Sequence, residues 1–373
     1  MSAPAPERAP PSPLALARPE LLDLKPYEHA AWEPALERLH ANELPWRGVA
    51  DATLAGLNRY PEPQPRALIE RLAALYQVSA AQLLVGRGSD EGIDLVTRAF
   101  CRAGEDAVLV CPPTFGMYGV AARIQGADVI RVPLDAAHGF SLDEPRLLAA
   151  CTEAVKLVFV CSPNNPTGNA IPEALLLRLA RALSGRALLV VDEAYIEFAE
   201  APSLAPRVGE LSHLVVLRTL SKAHGLAGAR CGVVIAAPEI IGLLRRMVPP
   251  YALAQSTIET VLQRLEPAAL VQAREHIALI RRERERLARE LGRLAGVRHV
   301  WPSDANFLLV QFRDATGAFE RARGARLLIR DVRSQPGLDA CLRITVGTPE
   351  QNERLLQALA ASPTRAAAQA SPP

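Results

Sequence analysis

Short apolar runs recur through the middle of the chain, each followed by a stretch with helical spacing. Residues 106–111, 128–132, 157–161, 187–191, 214–217 and 231–236 are rich in Val, Leu, Ile, Ala and Cys, with few polar interruptions. Runs of this length that lack clean polar alternation read as strands buried on both faces, and the helical stretches between them supply the crossovers of a parallel sheet. The pattern predicts an α/β fold with a mainly parallel sheet between helices, and residues 45–250 read as one large domain.

The pattern changes after residue 250. Residues 254–294 carry one long helical period rich in Arg and Glu, and 306–312, 326–330 and 341–346 read as three strands of a smaller α+β domain over 251–360. Residues 19–44 are expected to form an arm that packs on this smaller domain. Proline and alanine crowd 1–18 and 361–373, which read as disordered tails. No internal repeat is present.

Composition narrows the classes of function. The chain has 373 residues, 49% hydrophobic and 22% charged, with a formal net charge of +2. That balance supports a full core but creates no field that would favour nucleic acid or an anionic membrane, so small-molecule partners are expected. No apolar stretch is long enough to span a bilayer, and the first residues lack the apolar core of a signal peptide, so the cytoplasm is the expected compartment. The six cysteines are dispersed without a CxxC pair, which argues against a metal site or a disulfide framework.

Only three of the 42 basic residues are lysine: Lys25, Lys156 and Lys222. A lysine amine that loses its proton can form a Schiff base, which arginine cannot, so Lys222 is notable for its place just past an apolar run. Ligands of parallel α/β sheets bind beyond the carboxyl ends of the strands, and four such ends carry polar residues. After Val85, Ser89 or Asp90 can cap a helix whose free amides suit a phosphate, although simple capping accounts for them equally. After Cys161, a Pro- and Gly-rich turn presents Asn165 as both donor and acceptor. Asp192 ends a buried run with Tyr195 three residues on. Its carboxylate could cap the next segment or hold Mg²⁺, but no Walker A sequence precedes it; an Asp opposite a pyridine nitrogen would keep that nitrogen protonated. Finally, Thr219 and Ser221 flank Lys222, with Arg230 following, and two hydroxyls with a guanidinium are groups that hold a phosphate dianion.

Asn165-Pro-Thr-Gly168, Asp192-Glu-Ala-Tyr195 and Ser221-Lys222 with Arg230 resemble the fold-type I aminotransferases that use pyridoxal 5′-phosphate. More narrowly, Asn58-Arg-Tyr60-Pro, Cys111-Pro-Pro-Thr-Phe-Gly-Met-Tyr118, Asp192-Glu-Ala-Tyr-Ile-Glu-Phe198, Arg218-Thr-Leu-Ser-Lys222-Ala and Cys341-Leu-Arg-Ile-Thr-Val-Gly347 are similar to the histidinol-phosphate branch of that family. The resemblance runs from about Tyr27 to Leu359. It implies a mainly parallel seven-stranded sheet, Lys222 as the Schiff-base lysine and proton shuttle, and Asp192 on the pyridinium nitrogen. It further implies Asn165 and Tyr195 on the ring oxygen and Tyr118 stacked on the ring. Ser89, Asp90, Thr219, Ser221 and Arg230 would hold the phosphate, with Tyr60 reaching over from the second subunit of a homodimer. Arg343 corresponds to the residue that grips the carboxylate of glutamate, Arg330 and Tyr27 to contacts with the phosphate of histidinol phosphate, and Asn42 to the closing arm. His224-Gly225 departs from the usual aromatic-alanine pair, and the arm motif around His40 is a loose version, but neither departure removes a catalytic group.

The expected activity is therefore transamination between histidinol phosphate and 2-oxoglutarate, in histidine biosynthesis. The rivals are an aromatic amino acid aminotransferase, a phosphothreonine-type decarboxylase and, in a different class, a non-catalytic pyridoxal phosphate-sensing regulator.

Overall fold

The computed structural model describes residues 11–33 and 35–360. The apolar runs become strands of one sheet: β1 (Leu83–Gly86), β2 (Ala107–Val110), β3 (Asp128–Arg131), β4 (Val155–Cys161), β5 (Leu188–Asp192), β6 (Leu214–Thr219) and β7 (Gly232–Ile235). Their order is β1-β7-β6-β5-β4-β2-β3. The strands from β6 to β3 in that order run parallel, whereas β7 is antiparallel to both its neighbours.

That exception has a local cause. A parallel neighbour needs a crossover long enough to hold a helix, and the connection between β6 and β7 contains only the short 3-10 turn Ala227–Ala229. The chain therefore turns straight back. Lys222 lies on this return, and Arg230 closes it next to the start of the helix Ser89–Phe100.

Alternation along the strands divides the core. Leu189, Val191 and Val216 face a cluster that includes Leu68 and Leu72 of the helix Arg66–Tyr76 and Leu176 and Leu179 of Glu173–Ala182. Leu188, Val190 and Leu217 face the opposite cluster, with Ile93 and Val96 of Ser89–Phe100 and Ile240 and Leu244 of Pro238–Arg245. Every residue of β5 is buried, as expected for a central parallel strand.

A second sheet, antiparallel and ordered β10-β11-β9-β8, comprises β8 (Val297–Val300), β9 (Phe307–Phe312), β10 (Arg330–Asp331) and β11 (Cys341–Thr345). Its core is shared with the helices Pro267–Gly292, Ala315–Gly324 and Pro349–Ala360.

Several expectations are corrected. The helical pattern over 254–294 is two helices, Gln255–Arg264 and Pro267–Gly292, because Pro267 lacks an amide and suits the first turn of a helix rather than its interior. The strand expected over 326–330 shrinks to Arg330–Asp331. Arg326 is left-handed at φ 61°, and Leu327 N–H donates to Ala322 O at 2.9 Å, so these residues finish the preceding helix. Strand β8 was not expected, since its Val-Arg-His-Val alternation is short and half exposed. Residues 11–18 are not tail: Ser12 caps the turn Pro13–Leu16, and Ala17 is buried. Residues 1–10 and 361–373 lie outside the described residues. The start of the arm packs on the large sheet's helices rather than on the smaller unit: Arg18 N–H donates to Ala99 O, Arg246 donates to Leu22 O, and Leu21 joins the core there.

Backbone proximity at the β6–β7 return makes a sharp demand. A Cβ on Gly232 would stand 2.6 Å from both Gly88 C and Ser89 N. Gly232→Ala is therefore expected to cost about 2–3 kcal/mol of stability, measured by urea unfolding; a loss within about 0.5 kcal/mol would contradict this close approach.

Candidate active site

The carboxyl ends of β4, β5 and β6 and the start of the helix after β1 enclose one pocket. Its lining includes Ser89, Asp90, Asn165, Asp192, Tyr195 and Thr219, together with Ser221, Lys222 and Arg230. Residues distributed over 140 positions of sequence are thus brought to one place by strand order.

One part of the lining is acidic and dry. Asp192 is 2% exposed; its Oδ2 accepts from the Tyr118 hydroxyl at 2.8 Å and its Oδ1 from Ala194 N–H at 3.1 Å. Burial raises the carboxyl to about 6, against the opposing pull of those two donors. Asn165 Nδ2 donates to the Tyr195 hydroxyl at 3.3 Å, and burial raises the Tyr195 pKa. The Tyr195 ring meets Phe307 edge-on at 5.1 Å, which fixes its tilt.

Another part is basic and rich in donors. Burial, and next the charge of Arg343, lower the Lys222 pKa, which favours the free amine. Thr219 Oγ1 donates to Ser221 Oγ at 3.0 Å, and Arg230 Nη1 reaches Ser221 Oγ at 3.4 Å and Ala227 O at 3.1 Å. Arg230 Nη2 meets Asp90 Oδ2 at 3.3 Å. The helix cap differs from expectation: Gly88, at φ 92°, is the N-cap, no side chain caps the helix, and Ser89 is its first residue. Glycine suits that position because a φ of 92° is strained for a residue that carries a side chain. With no side chain spent on capping, the first-turn amides add to a cradle suited to an anion.

This lining fits pyridoxal 5′-phosphate by its donor chemistry. It offers a buried carboxyl for a protonated ring nitrogen, a hydrogen-bonded Asn–Tyr pair for a ring oxygen, a deprotonation-prone amine for a carbonyl carbon and a guanidinium with hydroxyls for a phosphate.

The sequence matches the family described as aminotransferase class I and II over residues 41–359. This chain belongs to the class I and II aminotransferases. It is 52% identical over 323 residues to the histidinol-phosphate aminotransferase of Xylella fastidiosa strain 9a5c, covering 86% of this chain and 88% of the relative. To that of Stenotrophomonas maltophilia strain R551-3 it is 49% identical over 352 residues, covering 93% and 96%. The histidinol-phosphate aminotransferase of Sinorhizobium meliloti, solved in complex with pyridoxal-5′-phosphate, superposes with a TM-score of 0.73 at 26% identity, over 81% of this chain and 82% of that one.

The placement of the remaining residues in this aminotransferase differs from expectation in one respect and is incomplete in others. Tyr118 does not line the pocket, which corrects its expected stacking on the cofactor. It lies inside the helix Met117–Gln125, wholly buried, stacked on Phe159 at 4.8 Å with its hydroxyl on Asp192. Of this motif's two rings, the one that reaches the pocket is Phe115, before that helix begins. Cys161 also lines it, opposite Asp192 in the β4–β5 register. Both were missed, although their strand-end positions carried the signal.

Arg343 donates from Nη1 to Asn165 Oδ1, and its guanidinium carbon lies 5.1 Å from the Phe307 ring centroid. Arg330 is its register partner on β10, exposed. Tyr27 and Tyr60 lie outside the pocket, 67% and 48% exposed, in a run of rings: Tyr27–His29 at 5.8 Å, His29–Tyr251 at 5.4 Å and Tyr251–Tyr60 at 4.5 Å. Asn42 is exposed with φ 56°. Its neighbour Glu43 organises this stretch by accepting from Arg38, Arg59 and Tyr60 N–H.

The buried acid gives a signed prediction. Because native Asp192 binds its proton more tightly than the unfolded carboxyl, at about 6 against 3.8, the cofactor-free fold loses stability as pH rises through that interval. Relative to Asp192→Asn, which does not titrate, the wild type should lose up to about 3 kcal/mol in urea unfolding between about pH 4 and pH 7. A difference of opposite sign would contradict the burial argument.

Proposed function

We propose that this chain transfers the amino group of L-histidinol phosphate to 2-oxoglutarate, giving imidazole acetol phosphate and L-glutamate. The observation that carries the reading is the single pocket joining Lys222, Asp192 and the Arg230 cradle in a chain about half identical to histidinol-phosphate aminotransferases. Bound there, pyridoxal 5′-phosphate supplies a ring that withdraws electrons from the substrate α-carbon.

The chain's own residues do the rest. Lys222 would hold the cofactor, and its Nζ would move the proton at the substrate α-carbon; its lowered pKa suits a base near neutral pH. Asp192 holds the proton on the ring nitrogen, and Tyr118 and Ala194 N–H keep its carboxylate oriented. Asn165 and Tyr195 would hydrogen-bond the ring oxygen, and Phe115 would supply an apolar wall to the ring. Ser89, Asp90, Thr219, Ser221 and Arg230 hold the phosphate end, Asp90 through its contact with Arg230. Arg343 takes the α-carboxylate of glutamate by a bidentate fork, exchanging its present partner Asn165 for it. Arg330, one strand away, and Tyr27 take the phosphate of histidinol phosphate, and Asn42 belongs to the segment that closes over it.

Tyr60 completes the site from a second copy of the chain, so the working unit is a homodimer. Large exposed apolar side chains concentrate between Tyr27 and Tyr60, including Leu39, Trp46 and Val49, which supports an interface there. Six unpaired, buried thiols accord with a reducing, cytoplasmic setting.

Two experiments follow. In a panel of amino donors, histidinol phosphate should exceed phenylalanine and dephosphorylated histidinol by at least about 100-fold in kcat/KM, since a site built for phosphate leaves its arginine unpaired with them; equal rates would favour the aromatic aminotransferase reading, and CO₂ release from phosphothreonine the decarboxylase. Separately, Lys222→Ala and Tyr60→Ala should each be nearly inactive, and mixing them should restore about a quarter of the wild-type sites by pairing one intact lysine with one intact tyrosine across the dimer. No recovery on mixing would place Tyr60 in its own subunit's site.

A further inference from the structure

Behind the pocket lies a second buried charge cluster that touches neither face of the cofactor site. Adjacent residues of a strand face opposite sides of a sheet. Asp192 and Thr219 share the side of Leu188, Val190 and Leu217, so Glu193 and Arg218, their neighbours in sequence, meet on the other. Arg218 Nη2 donates to Glu197 Oε1 at 2.7 Å, and Nη1 to Ser203 Oγ at 2.9 Å and Glu193 Oε2 at 3.4 Å. Glu193 Oε1 accepts from Leu204 N–H at 2.7 Å, and the guanidinium sits 4.6 Å from the Tyr76 ring centroid.

Stability is a poor reason for this cluster. One guanidinium is shared by two carboxyl groups under cover, burial pushes the Glu193 carboxyl up, and buried ion networks contribute little beyond what apolar side chains of the same volume would. The side chains of Arg218, Glu193 and Glu197 are 7%, 2% and 14% exposed. Arg218 Nε, Glu197 Oε2 and the Tyr76 hydroxyl have no hydrogen-bond partner among the described residues. What the cluster does achieve is geometric. Glu193 follows Asp192 directly, Glu197 lies two residues past Tyr195, and Arg218 precedes Thr219, Ser221 and Lys222 on the neighbouring strand. A single side chain thereby ties together the two chain segments, 192–197 and 218–222, that carry most of the pocket residues.

We propose that Glu193, Arg218 and Glu197 form a positioning clamp for transamination, holding Tyr195 and Lys222 in register with Asp192. The proposal rests on the aminotransferase reading given above. None of the three touches substrate, so loosening the clamp should disturb alignment at the reacting atoms and leave substrate binding nearly intact.

Glu197→Ala tests it with little risk to folding, since it removes one arm and leaves Arg218 paired one-to-one with Glu193; Glu197→Gln restores an acceptor of the same shape. In the dimeric holoenzyme, the alanine variant should lose at least about tenfold in kcat with KM for histidinol phosphate within about threefold. The pH midpoint of the bound cofactor's visible band should also move in Glu197→Ala and return in Glu197→Gln. The clamp is overturned if Glu197→Ala keeps the wild-type kcat and band midpoint, or if both variants lose rate only in step with a lowered melting temperature. Failure of the wild type itself to transaminate histidinol phosphate would reject the functional reading instead, and the band midpoints would still judge the clamp.

Discussion

A carboxyl group set at the end of a strand with no exposed residue constrains everything near it. Burying a charge costs several kcal/mol unless it is paired, and among the described residues Asp192 accepts hydrogen bonds from a tyrosine hydroxyl and one backbone amide. Its proton affinity rises accordingly, to about 6. A cationic ring nitrogen set against it would remove this cost, and cofactor binding would then be coupled to folding stability through one residue. Tyr118 belongs to that coupling: it orients the carboxylate from beneath and leaves the pocket side open.

Sheet topology supplies the complementary groups. Because β6 returns at once as the antiparallel β7, Thr219, Ser221, Lys222 and Arg230 are kept within one short return beside the start of Ser89–Phe100. The approach is close enough that glycine is required at 232, and the left-handed backbone favours it at 88. A lysine desolvated beside Arg343 and Arg230 is then easier to deprotonate than one at the surface. The smaller sheet reaches the same pocket through Arg343, whose bond to Asn165 places a guanidinium where an incoming carboxylate can compete for it.

Much of this was legible in the sequence because the chemistry sits where strands end. The apolar runs marked β2 to β7 within a residue or two, and the pocket gathers Asn165, Asp192, Tyr195 and Lys222 from just past those ends. The failures have physical causes. Tyr118 and Phe115 are three residues apart in one motif, and only the onset of the helix at Met117 decides which ring faces the sheet and which the pocket. Likewise, Arg326-Leu-Leu-Ile-Arg330 has the composition of a strand, but a left-handed Arg326 uses it to end a helix. The order of residues 11–18 rests on packing against Ser89–Phe100 and Pro238–Arg245, which no local proline-rich pattern announces. Tyr27, Tyr60 and Asn42 lie exposed, outside the pocket, and local sequence does not say what they meet there.

The central claim is that one pocket, built on Lys222 and Asp192, exchanges an amino group with histidinol phosphate. A single half-reaction tests it most directly: holoenzyme mixed with histidinol phosphate in the absence of any keto acid, followed by visible absorbance. The account predicts stoichiometric loss of the Lys222-bound cofactor's band, with imidazole acetol phosphate formed one-for-one and the band restored by 2-oxoglutarate. A band that histidinol phosphate leaves unchanged, while another amine bleaches it, would contradict the account.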